Sequence, residues 1–167
     1  MKIREETAAD YAAVAKILNA AFEADAESRL VSRLRISAKP LISLVAERDG
    51  QVIGHILFSP VTLDTDSSLP LMGLAPMAVL PQYQRRGVGS ALVEAGLAAC
   101  RRAQIGAVVV LGHPAFYAKF GFLNSSVFEI KSDYDVPADV FMLIEMQENY
   151  LSGHRGTAQY LEKFESL

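Results

Sequence analysis

The chain holds a single cysteine, Cys100, in 167 residues. An internal disulfide is thereby excluded, and a reducing setting is expected. Cys100 stands within an Ala/Leu-rich stretch, where a small buried hydrophobe is expected rather than a nucleophile. Long apolar runs are also missing. None approaches the roughly 20 residues that span a bilayer, and no basic segment with an apolar core behind it opens the chain. A soluble cytoplasmic protein with no membrane partner is the expectation. Positive charge is not in excess: 16 Lys and Arg stand against 19 Asp and Glu, for a formal net charge of −3. Phosphate-backbone binding needs concentrated Lys and Arg, so nucleic acid is not expected as a partner. There is no internal repeat, linker or low-complexity segment.

What is present has globular composition, 51% apolar and 21% charged, and the size of one domain over residues 1–167. Lys2–Glu6 alternates as a short strand, and Thr7 with Asp10 three residues on marks a helix start. Val14, Ile17, Leu18, Ala21 and Phe22 then recur at helical spacing. A second helix is expected over Asp25–Arg35, with Leu30, Val31 and Leu34 inward and Glu27, Arg29, Arg33 and Arg35 in solvent. Strands follow at Leu41–Arg48, Gln51–Leu63 and Leu69–Leu80, joined by Asp49-Gly50 and a polar turn over Asp64–Ser68. They form an antiparallel meander. Pro76 falls inside the third strand and marks an edge or a bulge, since proline lacks the N–H a ladder needs.

A helix is expected from Val88 to about Gln104, apolar nearly all round and so buried on more than one side, with Gly106 ending it. Ala107–Leu111 is a short apolar run, expected as a strand buried on both faces. Strand, helix and buried strand make a parallel βαβ unit. A short helix at Ala115–Lys119 and strands near Phe128–Lys131 and Val140–Met146 complete the pattern. The tail from Gly153 carries no readable signal.

The most informative segment joins Leu80 to that long helix. Gln84-Arg85-Arg86-Gly87-Val88-Gly89-Ser90 places glycines and basic residues at a helix N-terminus. The first amides there lack intrahelical acceptors, the helix dipole adds positive potential, and glycine lets a ligand approach the backbone. A phosphate-bearing ligand is expected; Arg85-Arg86 read alone is equally a solvated pair. No Lys-Ser or Lys-Thr follows, as a Walker A loop requires, and Leu92 stands where a dinucleotide fingerprint has its third small residue.

Gln84-x-x-Gly87-x-Gly89 resembles the Q/R-x-x-G-x-G/A motif of the GNAT N-acetyltransferase family, where it holds the pyrophosphate of coenzyme A. Phe-Tyr-x-Lys-Phe-Gly-Phe at 116–122, with Tyr117 four residues before Gly121, resembles the family's Y-x-[KR]-x-G-F segment. Pro81-x-Tyr83 and Ile3-x-x-x-Thr7-x-x-Asp10 extend the match, and Leu-Gly-His-Pro-x-Phe-Tyr at 111–117 resembles a largely uncharacterised bacterial branch. The resemblance implies the α/β GNAT fold: antiparallel N-terminal strands, then a parallel βαβ core in one mixed sheet. It implies acetyl-CoA as co-substrate, without a metal. It implies cofactor contacts from Met77, Ala78, Val79, Gln84, Arg85, Arg86, Gly87, Val88, Gly89, Ser90 and Tyr117.

The chemistry can be set beside this. Acetyl transfer to an amine needs a donor for the oxygen that gains charge, and the backbone near Met77–Val79, freed by a bulge at Pro76, fits that need. The leaving thiolate needs a proton, and Tyr117 is the expected general acid by family position. A lysine-like amine has a pKa of roughly 10.4, so a base helps. Leu69–Leu80 has no Asp or Glu. Glu27, His55 and His113 are the candidates, beside ordered water with no dedicated base. The expected function is acetyl transfer to a primary amine in a ternary complex, by a monomer or homodimer. A non-catalytic acyl-CoA-binding module on the same fold is the alternative; a nucleotide-binding protein is disfavoured without the lysine.

Overall fold

A computed structural model describes residues 1–161; residues 162–167 of the expected domain lie outside the described residues. The chain opens with β1 (Lys2–Glu5), α1 (Tyr11–Phe22) and α2 (Ala26–Ser37). The meander follows as β2 (Ile42–Arg48), β3 (Gln51–Leu63) and β4 (Asp66–Val79). Then come α3 (Val88–Arg102), β5 (Ala107–Leu111), α4 (Pro114–Tyr117), β6 (Leu123–Asn124), β7 (Ile130–Ser132), β8 (Phe141–Glu145) and β9 (Gly156–Tyr160). Among the described residues they form one nine-stranded mixed sheet, ordered β1-β2-β3-β4-β5-β8-β6, with β9 paired to β3 and β7.

Local chemistry accounts for the junctions. Asp10 Oδ2 accepts from the Thr7 amide at 2.7 Å, and both carboxylate oxygens accept from the Arg4 guanidinium, which holds the carboxyl well below the usual carboxylate range. Asp49 and Gly50 both have positive φ, as a two-residue hairpin requires. The next hairpin is tighter than expected. Asp66 pairs with Leu63, so the turn is Asp64-Thr65 and β4 begins three residues earlier than Leu69.

The sheet carries α1 and α2 on one face and α3 on the other. Val14, Leu18, Leu30 and Leu34 pack with Val45, Leu57 and Ala78 on the first face. Leu92, Val93, Leu97 and Cys100 pack with Ile56, Phe58 and Met72 on the second. Cys100 is fully buried, and burial pushes its thiol up to about 12. Val108 faces the α3 cluster and Val109 a third one with Val61, Leu63 and Leu143, so β5 is buried on both faces as expected.

Burial of α3 follows a single stripe, not several sides. Ala91, Ala95, Ala98 and Ala99 are only half-buried, so these alanines favour the helix without completing the core. Gly96 lies on the buried stripe because nothing larger fits: a Cβ there would sit 2.2 Å from Phe58 Cε1. Gly96→Ala is expected to lower stability by about 1–2 kcal/mol, since overpacking against the fully buried Phe58 outweighs the helix-propensity gain of about 1 kcal/mol. Urea denaturation checks it; unchanged or raised stability would contradict the packing.

Two further expectations need correction. The left-handed residue that ends α3 is Gln104, with φ 62°, rather than Gly106. Gly106 instead clears space for the Tyr150 ring, 2.0 Å from where its Cβ would be. Phe128 lies in a 3₁₀ turn opened by Asn124, whose Oδ1 accepts from the Ser126 amide, so β7 starts only at Ile130.

Candidate active site

Parallel pairing of β4 with β5 is brief: Leu71, Met72 and Gly73 face Ala107, Val108 and Val109. Beyond Gly73 the two strands diverge. The divergence coincides with a bulge, because Phe58 pairs with Leu74 and Ile56 with Met77, leaving Leu57 opposite both Ala75 and Pro76. A cleft of about 720 Å³ occupies the gap. Its walls are the Leu74–Val79 stretch of β4, the Leu111–His113 end of β5, and Phe116 and Tyr117 of α4, with Phe22 and Glu27 at the α1–α2 junction.

Strand alternation decides which backbone groups face this cleft. The Leu80 amide donates to Ile53 O at 2.9 Å, toward β3. Alternation then turns the N–H and C=O of Ala78 toward β3 as well, and those of Met77 and Val79 toward the cleft. Of the three expected cofactor contacts on this strand, Met77 and Val79 offer backbone groups and Ala78 does not. Gln84 Nε2 donates to Val79 O at 3.0 Å, tying the loop to the end of β4.

The loop reaches α3 through two left-handed residues, Arg85 at φ 60° and Gly87 at φ 84°. Gly87 is the N-cap, and nothing lies within 4 Å of where its Cβ would be, so the approach to the first helical amides is open. At Gly89 a Cβ would sit 3.6 Å from Met77 Cε and 3.8 Å from Phe116 Cζ. The first turn of α3, the cleft strand and α4 therefore converge here. Val88 is buried and sends its side chain into the core, leaving only its backbone for a ligand. Arg85 and Arg86 are exposed beside the helix end, and Ser90 is half-buried.

Tyr117 is 8% exposed. Its ring packs edge-on to Phe116 and Phe122, at 4.9 Å and 5.5 Å between centroids. Gly112 makes that seat possible, since a Cβ there would fall 2.5 Å from Tyr117 Cε2. Burial pushes the phenol up to about 12, so it stays protonated at neutral pH and is a donor.

The base candidates separate. Glu27 lines the cleft and is 6% exposed, so the expectation of a uniformly solvated charged face on α2 fails. Arg35 departs from it too, pairing with Glu6 and stacking 3.9 Å over the Tyr11 ring. His113 lines the cleft from an exposed position.

His55 does not reach the cleft. It is fully buried and joined through Nε2 to Ser43 Oγ at 2.8 Å, while Ser43 donates to Glu6 Oε2 at 2.7 Å. Because that hydroxyl proton is committed to Glu6, Ser43 accepts from His55 Nε2–H, and Nδ1 keeps a bare lone pair with no partner. Burial lowers the imidazole to about 4. A folded value below the unfolded one means that the unfolded chain binds the extra proton. The stabilisation is full above about pH 6.5 and is lost as pH falls toward 4. About 3 kcal/mol should vanish across that window, a slope that His55→Asn removes; urea titrations at pH 7 and pH 4.5 check it.

One lining residue had no sequence signal. Tyr160 closes the cleft from β9, its ring so near Gly73 that a Cβ there would fall 2.6 Å from Cε1. Burial raises its phenol further than that of Tyr117. Among the described residues, no group of three or more His, Cys, Asp or Glu could hold a metal, and no helix is long and apolar enough to cross a membrane.

A model of the Acetyltransferase (GNAT) family matches residues 11–122. Over 165 residues the chain is 35% identical to the uncharacterized N-acetyltransferase YhbS of Escherichia coli K12, covering 98% of each. The crystal structure of YhbS from Escherichia coli in complex with CoA superposes with a TM-score of 0.89 at 34% identity, covering 95% of this chain and 88% of that one. A GNAT family acetyltransferase from Brucella melitensis, in complex with acetyl-CoA, gives 0.79 at 33% identity over 95% and 94%.

Proposed function

The chain belongs to the GNAT acetyltransferase family, and from that premise we propose that it transfers the acetyl group of acetyl-CoA to a primary amine by direct attack in a ternary complex. The observation that carries this reading is a convergence on one cleft. The glycine-capped end of α3, the open edge of β4 and the buried, protonated Tyr117 all meet there. CoA and acetyl-CoA in the two similar structures support it.

The residues fit such a co-substrate. The amides of Val88, Gly89 and Ser90, with Gly87 leaving the approach clear and Arg85-Arg86 beside it, receive the pyrophosphate. Outward-facing backbone groups of Met77 and Val79 take the amide-bearing arm as an added strand would be taken. Acetyl-CoA supplies the activated thioester. A Met77 or Val79 amide donates to the acetyl oxygen as the amine nitrogen adds to the carbonyl carbon. The carbon–sulfur bond then breaks, Tyr117 O–H gives its proton to the leaving thiolate, and the amine proton leaves to Glu27 or to water.

The test is release of free thiol from acetyl-CoA against a broad amine panel, with mass spectrometry of the products. Acetylated amine is the expected result. Tight acetyl-CoA binding with no transfer to any amine would favour a non-catalytic acyl-CoA-binding module, a reading favoured by the lack of Asp or Glu along the cleft-facing Leu74–Val79. Thermal stabilisation by acetyl-CoA and not by ATP distinguishes both from a nucleotide-binding protein.

A further inference from the structure

The molecule holds a second cavity that acetyl transfer does not use. It measures about 720 Å³, as the cleft does, and its lining includes Ser132, Tyr134, Phe141 and Thr157. Among the described residues the two linings share none. One aromatic pair connects them. Tyr160 lines the cleft, Tyr134 lines the second cavity, and their rings pack edge-on with centroids 5.2 Å apart. The pair therefore stands as a partition between the two spaces. Tyr160 is held through both its backbone and its ring. β9 pairs it with Val61 of β3, and the ring lies so near Gly73 that a Cβ there would fall 2.6 Å from Cε1. Tyr134 is set by a turn directly after β7, in which its amide donates to Ser132 Oγ at 3.0 Å. Gly73 marks the base of the fork between β4 and β5. Six residues of β4 separate it from Val79, about 20 Å at roughly 3.3 Å each. The coenzyme arm enters from the Val79 end, beside the glycine-capped end of α3, so Tyr160 stands at the acceptor end of the cleft.

We infer that Tyr160 sets the size limit of the acceptor, its ring ending the acceptor half of the cleft and keeping the second cavity out of reach. The inference rests on the acetyltransferase reading. The admitted acceptor carries a compact group beside its nitrogen, about one ring deep; a longer rigid group meets Tyr160 and is rejected by overlap. The restriction is steric, so it is indifferent to the charge states of Glu27 and His113 in the same lining. Truncating Tyr160 joins the two cavities and lifts the limit.

Bisubstrate conjugates test this by binding alone. Coenzyme A alkylated at sulfur with N-benzyl bromoacetamide, or with N-(4-phenylbenzyl) bromoacetamide, places one or two rigid rings where the acceptor's nitrogen substituent would lie. Calorimetric titration gives Kd for each conjugate and for acetyl-CoA. The wild-type protein should bind the one-ring conjugate at least about tenfold more tightly than the two-ring conjugate. Tyr160→Ala should bring the two within about threefold of each other by tightening the two-ring conjugate, and should change the acetyl-CoA Kd less than about threefold. Tyr160→Phe, which keeps the ring, should keep the wild-type ratio. A merely structural role would weaken all three ligands together and leave the ratio intact. Equal wild-type affinities, or a ratio unchanged in folded Tyr160→Ala, would overturn the inference while leaving the acetyltransferase reading standing. Failure of acetyl-CoA and both conjugates to bind would overturn both. A circular-dichroism melt checks folding; if Tyr160→Ala is unfolded, Tyr160→Leu, which also removes the ring, carries the same prediction, and should that variant be unfolded too, the wild-type ratio decides alone.

Discussion

Gly87→Glu is expected to weaken acetyl-CoA binding at least about a hundredfold, equivalent to roughly 2.7 kcal/mol. Three effects act together. The substitution places a carboxylate at the helix end where an anionic ligand would sit, competing for the same unpaired amides. It fills an approach that is open, since nothing lies within 4 Å of the Cβ position. It also forces a side chain into a left-handed conformation at φ 84°, at about 1–2 kcal/mol. Gly87→Ala separates these terms, because it carries the backbone strain without the charge and should lose far less affinity. Calorimetric titration with acetyl-CoA reads both variants, and a thermal melt confirms that each is folded. Unchanged affinity in folded Gly87→Glu would remove the loop from the donor site.

Tyr117→Phe should lower kcat by about a hundredfold or more while changing acetyl-CoA affinity less than about threefold. The phenylalanine ring keeps its contacts with Phe116 and Phe122 and the clearance at Gly112, so the seat is preserved and only the O–H is lost. With the phenol pushed up to about 12, the wild-type group remains a proton donor throughout pH 6–10. The deficit should therefore be constant across that range. A deficit that appeared only above pH 9 would mean that another group supplies the proton. An equal loss in affinity would show that Tyr117 packs against the ligand and has no part in proton transfer.

The legible parts of the site were those written locally. Gln84–Gly89 announces itself through glycines and a helix start, and Pro76 marks the bulge because a missing N–H is visible in any sequence. The meander and the βαβ unit follow from alternation and from one doubly buried run. What escaped depends on pairing between distant segments. Ala78 looks equivalent to Met77 and Val79 until the strand register is known, and a shift of one residue reverses which of them faces the cleft. Tyr160 enters only because β9 takes the edge of β3 beyond the end of β2. His55 reads as an acid–base candidate, yet burial keeps it neutral in the core, where Ser43 and Glu6, brought from two other segments, tie it into a hydrogen-bond chain. Glu27 lies on a helix face whose other charges imply solvent, and burial at the helix junction was not visible in its neighbours.

The short contact between β4 and β5 has a mechanical consequence. Three register pairs, at Leu71, Met72 and Gly73, with one hydrogen bond from the Gly106 amide to Pro70 O, join these strands below the point where they separate. They act as the crotch of a forked branch, where a small change in the angle becomes a larger change at the tips. Gly73 stands at that fork with the Tyr160 ring and Val61 close against it. A side chain added there would lie away from the α3 helix end, yet would reset the separation of the two strands that wall the cleft.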